Sequence, residues 1–260
     1  MLYNLRLLLY TNVVTKGEQM LKLDNVCYVV EEDGKQKYIL KNINLQIEDG
    51  ETIVITGHNG SGKSTLMKII MGIIPVTSGK IYFDGVNITD MTITDRAKLG
   101  IAYSFQTPVR FKGLRVRDLL ITAQKTNSKL TEVCNYLSKV GLCARNYIDR
   151  ALDDSLSGGE LKRIEIATTF ARGAKLNMFD EPEAGIDLWS FDGLISAFNE
   201  SKEKNSSNII ISHQEKILGI ADRIIVMDSS KITMIGTKDE ILPNIKTAKI
   251  CNKLQGECYE

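Results

Sequence analysis

The sequence predicts an α/β protein built around a parallel β-sheet, and three observations support this fold class. Four short apolar runs have the β-branched character of strands that are covered on both faces. They lie at 52–56 (TIVIT), 101–105 (IAYSF), 176–179 (LNMF) and 208–212 (NIIIS), and a fifth lies at 223–227 (RIIVM). The intervals between the runs leave room for helical crossovers. Polar residues follow each of the first four runs, as expected for a ligand site beyond the carboxyl ends of parallel strands.

The composition fits one large domain in a reducing compartment. The 260 residues are 43% hydrophobic and 25% charged, which is typical of a globular chain with a sizeable core. The 33 basic and 32 acidic side chains leave a net charge of +1, which argues against nucleic acid as a partner. Five cysteines, an odd number without a CxxC pair, indicate neither a disulfide framework nor a zinc site. A cytoplasmic location is therefore expected.

The first and last segments are expected to lie outside the domain. Residues 1–19 contain an apolar run that is too short to span a bilayer and is interrupted by Arg6. We interpret them as a flexible extension, or as sequence upstream of a true start at Met20. The prediction is one domain over 20–250, followed by a C-terminal tail over 251–260 that contains the free thiols of Cys251 and Cys258.

Two further units are predicted within that domain. Residues 21–50 alternate strand-like runs around an EDGK turn, which predicts an antiparallel sheet beside the core. Residues 107–156 predict a small helical insert, because Val133, Leu137 and Val140 fall on one helical face before Gly141 ends the helix.

A glycine-rich turn after the first core strand predicts a phosphate site. The pattern G-x-x-x-x-G-K-[ST] covers Gly57, His58, Asn59, Gly60, Ser61, Gly62, Lys63 and Ser64, with Thr65 next in the following helix. Its backbone amides surround phosphates, Lys63 reaches the β- and γ-phosphates, and Ser64 ligates Mg²⁺. His58 occupies a variable position of the pattern, so it is either a phosphate contact or a bystander.

Four polar residues at the ends of other strands complete a predicted hydrolytic site. Asp180 is expected to hold Mg²⁺, and Glu181 is expected to act as the base that activates water. His213 is expected to contact the γ-phosphate, and Gln106 is expected to sense the nucleotide and to be the third residue, with Ser64 and Asp180, at the magnesium ion.

The segment 157–160 (SGGE) predicts a second anion-binding site. Ser157 offers a hydroxyl, Gly158 and Gly159 leave backbone amides unobstructed, and the helix behind them adds its dipole. One monomer cannot easily close both phosphate sites on one nucleotide. Two copies arranged head to tail can each complete the site of the other.

The order of these motifs, with 176–181 (LNMFDE) and 184–187 (AGID), resembles that of ABC-type ATPases over residues 21 to about 242. The resemblance implies a P-loop NTPase fold with an antiparallel β subdomain and a helical subdomain. It implies a Mg²⁺-dependent ATPase that forms a homodimer around ATP, in which Asp187 communicates between the two sites. Four features depart from the family pattern: Asn177 in an apolar strand, Glu160 in place of glutamine, AGID in place of a small-Ala-Leu-Asp run, and Val30 where an adenine-stacking aromatic is common.

The flanking residues resemble one branch of the family, the SufC-type ATPases of SUF iron–sulfur cluster assembly. The resemblance rests on 95–113, SGGELKRIEI and DEPEAGIDLWSF. It implies a soluble SufB/SufD-like scaffold as the partner of the helical insert. The alternative is the ATP-binding subunit of a membrane importer, in which the insert meets a permease and the membrane is contacted only indirectly. A clamp on DNA is disfavoured, because no sustained heptads separate Gln106 from Ser157.

Overall fold

The computed structural model describes residues 19–32, 34–124 and 130–245, which fold into two β-sheets and eight helices within that part of the chain. The strands are β1 (Gln19–Glu32), β2 (Lys35–Glu48), β3 (Thr52–Gly57), β4 (Ser78–Phe83), β5 (Val86–Asn87), β6 (Ile101–Ser104), β7 (Leu176–Asp180), β8 (Ser207–Ile211), β9 (Arg223–Asp228) and β10 (Lys231–Thr237). The helices are α1 (Lys63–Met71), α2 (Ile93–Leu99), α3 (Val116–Ala123), α4 (Leu130–Lys139), α5 (Ala144–Tyr147), α6 (Gly158–Ala171), α7 (Leu188–Glu203) and α8 (Glu215–Gly219).

The larger sheet confirms the predicted parallel core. Its order is β10-β9-β3-β8-β7-β6, and every neighbouring pair from β9 to β6 is parallel. The five predicted runs are five of its strands. The sixth strand, β10, pairs antiparallel with β9 at the edge and was missed, because its mostly exposed residues lack the apolar signature of the others.

The smaller sheet is antiparallel, with the order β2-β1-β4-β5. Its first two strands match the antiparallel pair expected in 21–50. The other two come from the chain after α1 and were missed, since the sequence analysis ended this sheet at residue 50. In the chain, the glycine-rich turn and α1 therefore follow β3 of the larger sheet and precede β4 of the smaller sheet.

The strand β3 is covered on both faces, which explains its apolar sequence. Ile53 and Ile55 are fully buried in a core shared with the smaller sheet and α1. Val54 points to the opposite face and is buried in a second core formed with α3, α4, α6, α7 and α8. Each such side chain contributes about 1.5–3 kcal/mol through burial, so the strand that leads into the glycine-rich turn is firmly fixed.

Three helices lie within the described residues of 107–156, which omit 125–129. Val133, Leu137 and Val140 are buried in the second core, as their spacing predicted. Helix α4 ends at Lys139, and Gly141 follows with φ 73°, a left-handed conformation that suits glycine. The division of the chain into one domain with a helical subdomain stays a prediction.

Asn177, the polar residue in β7, is buried but not isolated. Its Nδ2 lies 3.4 Å from both the Ser201 hydroxyl and the Asn208 Oδ1 atom, and Asn208 Nδ2 lies 3.4 Å from Thr52 Oγ1. These polar partners, Ser201 on α7 and Asn208 and Thr52 on other strands of the sheet, allow the departure from an apolar strand. Among the described residues, no helix has the length and apolar character needed to cross a membrane.

Candidate functional site

The glycine-rich turn lies between β3 and α1, and two of its glycines are required by close packing. A Cβ atom on Gly57 would lie 1.9 Å from the Met227 carbonyl oxygen, and one on Gly62 would lie 2.7 Å from the Ile39 carbonyl oxygen. Gly57 and Gly62 also have φ values of 135° and 100°. The turn therefore keeps a backbone path that other residues could not follow.

Lys63, at the start of α1, is directed back over the turn. Its Nζ atom donates to the carbonyl oxygens of Gly57 at 2.7 Å and His58 at 2.8 Å. Burial lowers the pKa of Lys63, while the carboxylates of Glu181 and Asp180 act in the opposite direction. A cation thus lies on the turn where the sequence places phosphate oxygens.

Two of the three residues predicted to hold magnesium, Ser64 and Asp180, meet in the structure, whereas the third, Gln106, contacts Glu181. Ser64 Oγ donates to Asp180 Oδ1 at 3.1 Å, and Tyr103 donates its hydroxyl to the other oxygen, Asp180 Oδ2, at 3.0 Å. Asp180 is 1% exposed. A hydroxyl and a carboxylate from the protein, with the remaining positions left to phosphates and water, form the type of oxygen site that Mg²⁺ prefers. The residues therefore fit this ion.

Glu181 and Gln106 are in direct contact. Gln106 Nε2 donates to Glu181 Oε2 at 2.9 Å, which joins the residue predicted to sense the nucleotide to the predicted base. In the structure, Gln106 is therefore a hydrogen-bond partner of Glu181. Glu181 has a φ of 47°, which is uncommon outside glycine, and its N–H donates to the Ile211 carbonyl at 3.1 Å. This backbone conformation sets the direction in which the Glu181 side chain projects from the end of β7.

Both histidines of the sequence lie beside the turn. His213 Nδ1 is 3.1 Å from the hydroxyl of Thr56, the residue that precedes Gly57 in β3. His58 and His213 line one cavity of about 520 Å³, together with Asn59 and Asp228. The two histidines therefore border one cavity beside the glycine-rich turn.

The second predicted anion site forms the start of α6. Ser157 is the N-cap of the helix: its hydroxyl accepts from the Glu160 N–H at 3.2 Å, and its own N–H donates to Glu160 Oε2 at 2.7 Å. The Tyr147 hydroxyl donates to Glu160 Oε1, and this bond, with the bond from Ser157, lowers the pKa of Glu160 to about 2. Glu160 therefore stabilises the helix start as a carboxylate.

Gly159 and Asp187 connect this helix start to the next segment. A Cβ atom on Gly159 would lie 2.2 Å from the Gly185 carbonyl oxygen, so the two backbones are in contact. Asp187 is the N-cap of α7 and accepts from Ser190 N–H at 2.9 Å and from Arg163 Nη1 at 3.1 Å. Arg163 belongs to α6, so Asp187 is fixed to the same helix that Ser157 begins.

Sequence reasoning missed several contacts to the predicted residues. Tyr103 and Thr56 are the clearest, since each touches a predicted site residue. Lys162, 1% exposed, donates to the carbonyl oxygens of Asp180 and Phe105, and the Phe105 N–H donates to Glu165 Oε1 at 2.7 Å. A lysine and a glutamate three positions apart carry no signal in a sequence, and only the tertiary structure reveals that both bind the backbone of Phe105, the residue before Gln106.

The chain is similar to proteins of known family. The family described as ABC transporter matches residues 40–184. An uncharacterised ABC transporter ATP-binding protein of Methanocaldococcus jannaschii is 37% identical over 85% of this chain and 90% of its own length. The energy-coupling factor transporter ATP-binding protein EcfA2 of Clostridium perfringens is 34% identical over 82% of this chain and 77% of its own length.

Two more comparisons bear on the partner and the fold. The iron–sulfur cluster assembly protein SufC of Plasmodium berghei is 34% identical over 84% of this chain and 63% of its own length. A solved dimeric bacterial ABC transporter cassette is 25% identical, covers 84% of this chain and 99% of its own, and superposes with a TM-score of 0.76. The predicted fold class is confirmed, and the chain belongs to the ABC transporter family as one of its ATP-binding ATPases.

Proposed function

We propose that two copies of this ATPase close around ATP, each supplying the second anion site for the nucleotide held by the other. The observation that carries this proposal is the presence of two phosphate-binding arrangements in one chain. One is the turn before α1 with Lys63, and the other is the start of α6 with Ser157, Gly158 and Gly159. Each arrangement combines open backbone amides with a helix start.

The proposed chemistry is hydrolysis of the γ-phosphate. Lys63 exchanges its two carbonyl partners for phosphate oxygens, and Ser64 and Asp180 hold Mg²⁺. When bound, Mg²⁺ neutralises part of the phosphate charge. Glu181 orients and deprotonates the attacking water after its hydrogen bond with Gln106 is exchanged, and His213 contacts the γ-phosphate.

An apolar groove beside Gln106 supports a partner that responds to the nucleotide. The cavity, about 310 Å³, lies between α2, α3, α6 and the residues after β6. Its lining includes Phe105, Val109 and Phe111, which are 36%, 48% and 40% exposed. Large apolar side chains gathered at one surface favour a protein contact. Phe105 is adjacent to Gln106, so a bound partner and the nucleotide act on neighbouring residues.

The partner that we propose is the membrane component of a transporter. Two of the relatives described above are named as ATP-binding proteins of transporters, and this supports the importer alternative of the sequence analysis. In this proposal the domain spans 20–250, and the helical subdomain of 107–156 provides one wall of the groove.

A second candidate partner is a SufB/SufD-like scaffold for iron–sulfur cluster assembly. It is favoured by the relative named SufC, which is as similar in sequence as the EcfA2 protein, and by the SGGELKRIEI and DEPEAGIDLWSF segments. Both candidates use the same ATPase cycle. They differ in whether the protein attached to the groove lies in a membrane.

The experiment is a pull-down of Glu181→Gln from native cells with Mg²⁺-ATP, with and without detergent, followed by mass spectrometry. A multi-span protein recovered only with detergent supports the transporter proposal. A detergent-independent protein that carries iron–sulfur clusters supports the scaffold instead. Ser157→Arg combined with Glu181→Gln is the matched control, because it blocks the shared site, and an ATP-dependent dimer in that double variant would refute the head-to-tail arrangement.

A further inference from the structure

We propose that Glu183 is a positioning residue for ATP hydrolysis, because its carboxylate ties the segment that carries Glu181 to the segment that carries His213. This inference rests on the roles proposed above for those two residues. Glu183 Oε1 accepts from the hydroxyl of Ser212, the residue before His213, at 2.6 Å. Ser212 Oγ in turn accepts from the Gln214 N–H at 3.0 Å. Glu183 thus holds Ser212 and, through it, the backbone of Gln214, which are the two residues on either side of His213.

The connection from Glu183 to Glu181 is also short. Glu183 lies two residues after Glu181, in a turn closed by a hydrogen bond from the Ala184 N–H to the Glu181 carbonyl at 3.1 Å. The Glu181 N–H donates to the carbonyl of Ile211, the residue before Ser212, at 3.1 Å. The turn after β7 and the segment after β8 are therefore joined by a backbone bond and by a side chain. A shift of either segment displaces the other.

The His213 ring is oriented from a different direction. Thr56 Oγ1 contacts its Nδ1 atom at 3.1 Å, while Glu183 holds the preceding residue, Ser212. A ring contact and a fixed backbone together define the position of the imidazole, whereas either one alone lets the side chain rotate. Since hydrolysis depends on placing water between a base and the γ-phosphate, a displacement of about 1 Å can cost about 10² in rate.

A structural role alone does not account for the carboxylate. Glu183 Oε2 is shielded from solvent and has no hydrogen-bond partner in the described structure. Burial raises the pKa of Glu183, and the nearby carboxylate of Glu181 raises it further. An unpartnered buried oxygen destabilises a fold. A side chain kept at this cost is typical of functional sites, where placement of catalytic groups outweighs stability.

The test is a double-mutant cycle between Glu183→Ala and His213→Ala in the full-length protein, with single-turnover hydrolysis of Mg²⁺-ATP as the readout. His213→Ala should slow hydrolysis by roughly tenfold or more. Glu183→Ala should lower the single-turnover rate constant by about 10- to 100-fold, with the ATP concentration for half-maximal rate within about threefold, and should lower it by less than about twofold when His213 is already alanine. Glu183→Gln keeps an oxygen for Ser212 and should restore the rate to within about threefold of the native value.

Two outcomes separate this inference from the proposed function. An equal loss caused by Glu183→Ala with and without the His213 ring overturns the positioning role alone, since the two residues then act independently. A normal rate in His213→Ala overturns both the role of His213 and the inference built on it. Ser212→Ala removes the same hydrogen bond with little change in shape, so it should reproduce the kinetic loss even where Glu183→Ala does not fold. A normal rate in Ser212→Ala would contradict the proposal.

Discussion

The contact between Gly159 and the Gly185 carbonyl gives a prediction whose size follows from the structure. A Cβ atom at position 159 would lie 2.2 Å from that oxygen, whereas real Cβ contacts are essentially never under 3.0 Å. Gly159→Ala therefore forces the start of α6 and the segment before Asp187 apart by at least 3.0 − 2.2 = 0.8 Å. The obstructing atom belongs to the backbone, so no side-chain rotation relieves the clash.

Overpacking of this kind costs about 1–3 kcal/mol in the free energy of unfolding. For a chain of this size, each kcal/mol lowers Tm by about 2–4 °C, so Gly159→Ala should unfold about 2–12 °C below the native protein. The neighbouring variant, Gly158→Ala, provides a matched control because nothing lies within 4 Å of its added Cβ. Since alanine favours a helix more than glycine does, Gly158→Ala should be at least as stable as the native protein.

The assay is thermal unfolding of both variants without nucleotide, so that effects on the shared ATP site do not enter. Equal Tm values for Gly158→Ala and Gly159→Ala would refute the reasoning, because the two substitutions differ only in what the added methyl group meets. A Gly159→Ala protein with native Tm would also refute it, and would mean that the two backbones are not in contact in solution.

Four further outcomes are expected. Glu181→Gln should slow hydrolysis by roughly 10² to 10⁴ while ATP binding, measured by equilibrium titration, is preserved; unchanged turnover would contradict its role as the base. Lys63→Ala should weaken nucleotide binding itself in the same titration, because it removes the cation on the glycine-rich turn. Ser157→Arg should bind ATP as a monomer but fail to hydrolyse it, and a normal turnover would contradict the shared site. The folded-state pKa of Glu160, about 2, lies below its ordinary value of 4.5, so its contribution to stability is full above pH 4.5 and is lost as the pH falls toward 2. Tyr147→Phe removes the largest cause of that low pKa, so urea unfolding between pH 4.5 and 2 should depend less on pH in the variant than in the native protein.

The parts of the fold that could be predicted from the sequence are those with a strong local signal. The strands of the parallel core have continuous apolar runs because they are covered on both faces, as Ile53 and Val54 illustrate. The strands β4, β5 and β10 lack such runs. They form strands because a neighbouring strand offers hydrogen-bond partners, and the tertiary structure decides which segments become neighbours.

The same distinction holds for the candidate site. The glycine-rich turn and the serine of α6 are local motifs, so their positions could be predicted. Tyr103, Thr56 and Glu183 act through contacts with residues far away in the chain, and nothing in the flanking sequence marks them. Lys162 shows this most clearly, since its neighbours in α6 predict an ordinary surface lysine, yet it is fully enclosed.

Helix α6 connects several of the contacts described above. Its 14 residues form a rod about 21 Å long, with Ser157 capping its first turn. Further along the helix, Lys162 and Glu165 bind the C=O and N–H of Phe105, the residue before Gln106, and Arg163 binds Asp187. In the proposed dimer, the first turn of α6 lies against the nucleotide of the other subunit, and Leu161 and Ile164 of the same helix line the groove for the partner. A partner that displaces α6 at the groove therefore also displaces its first turn at the opposite active site.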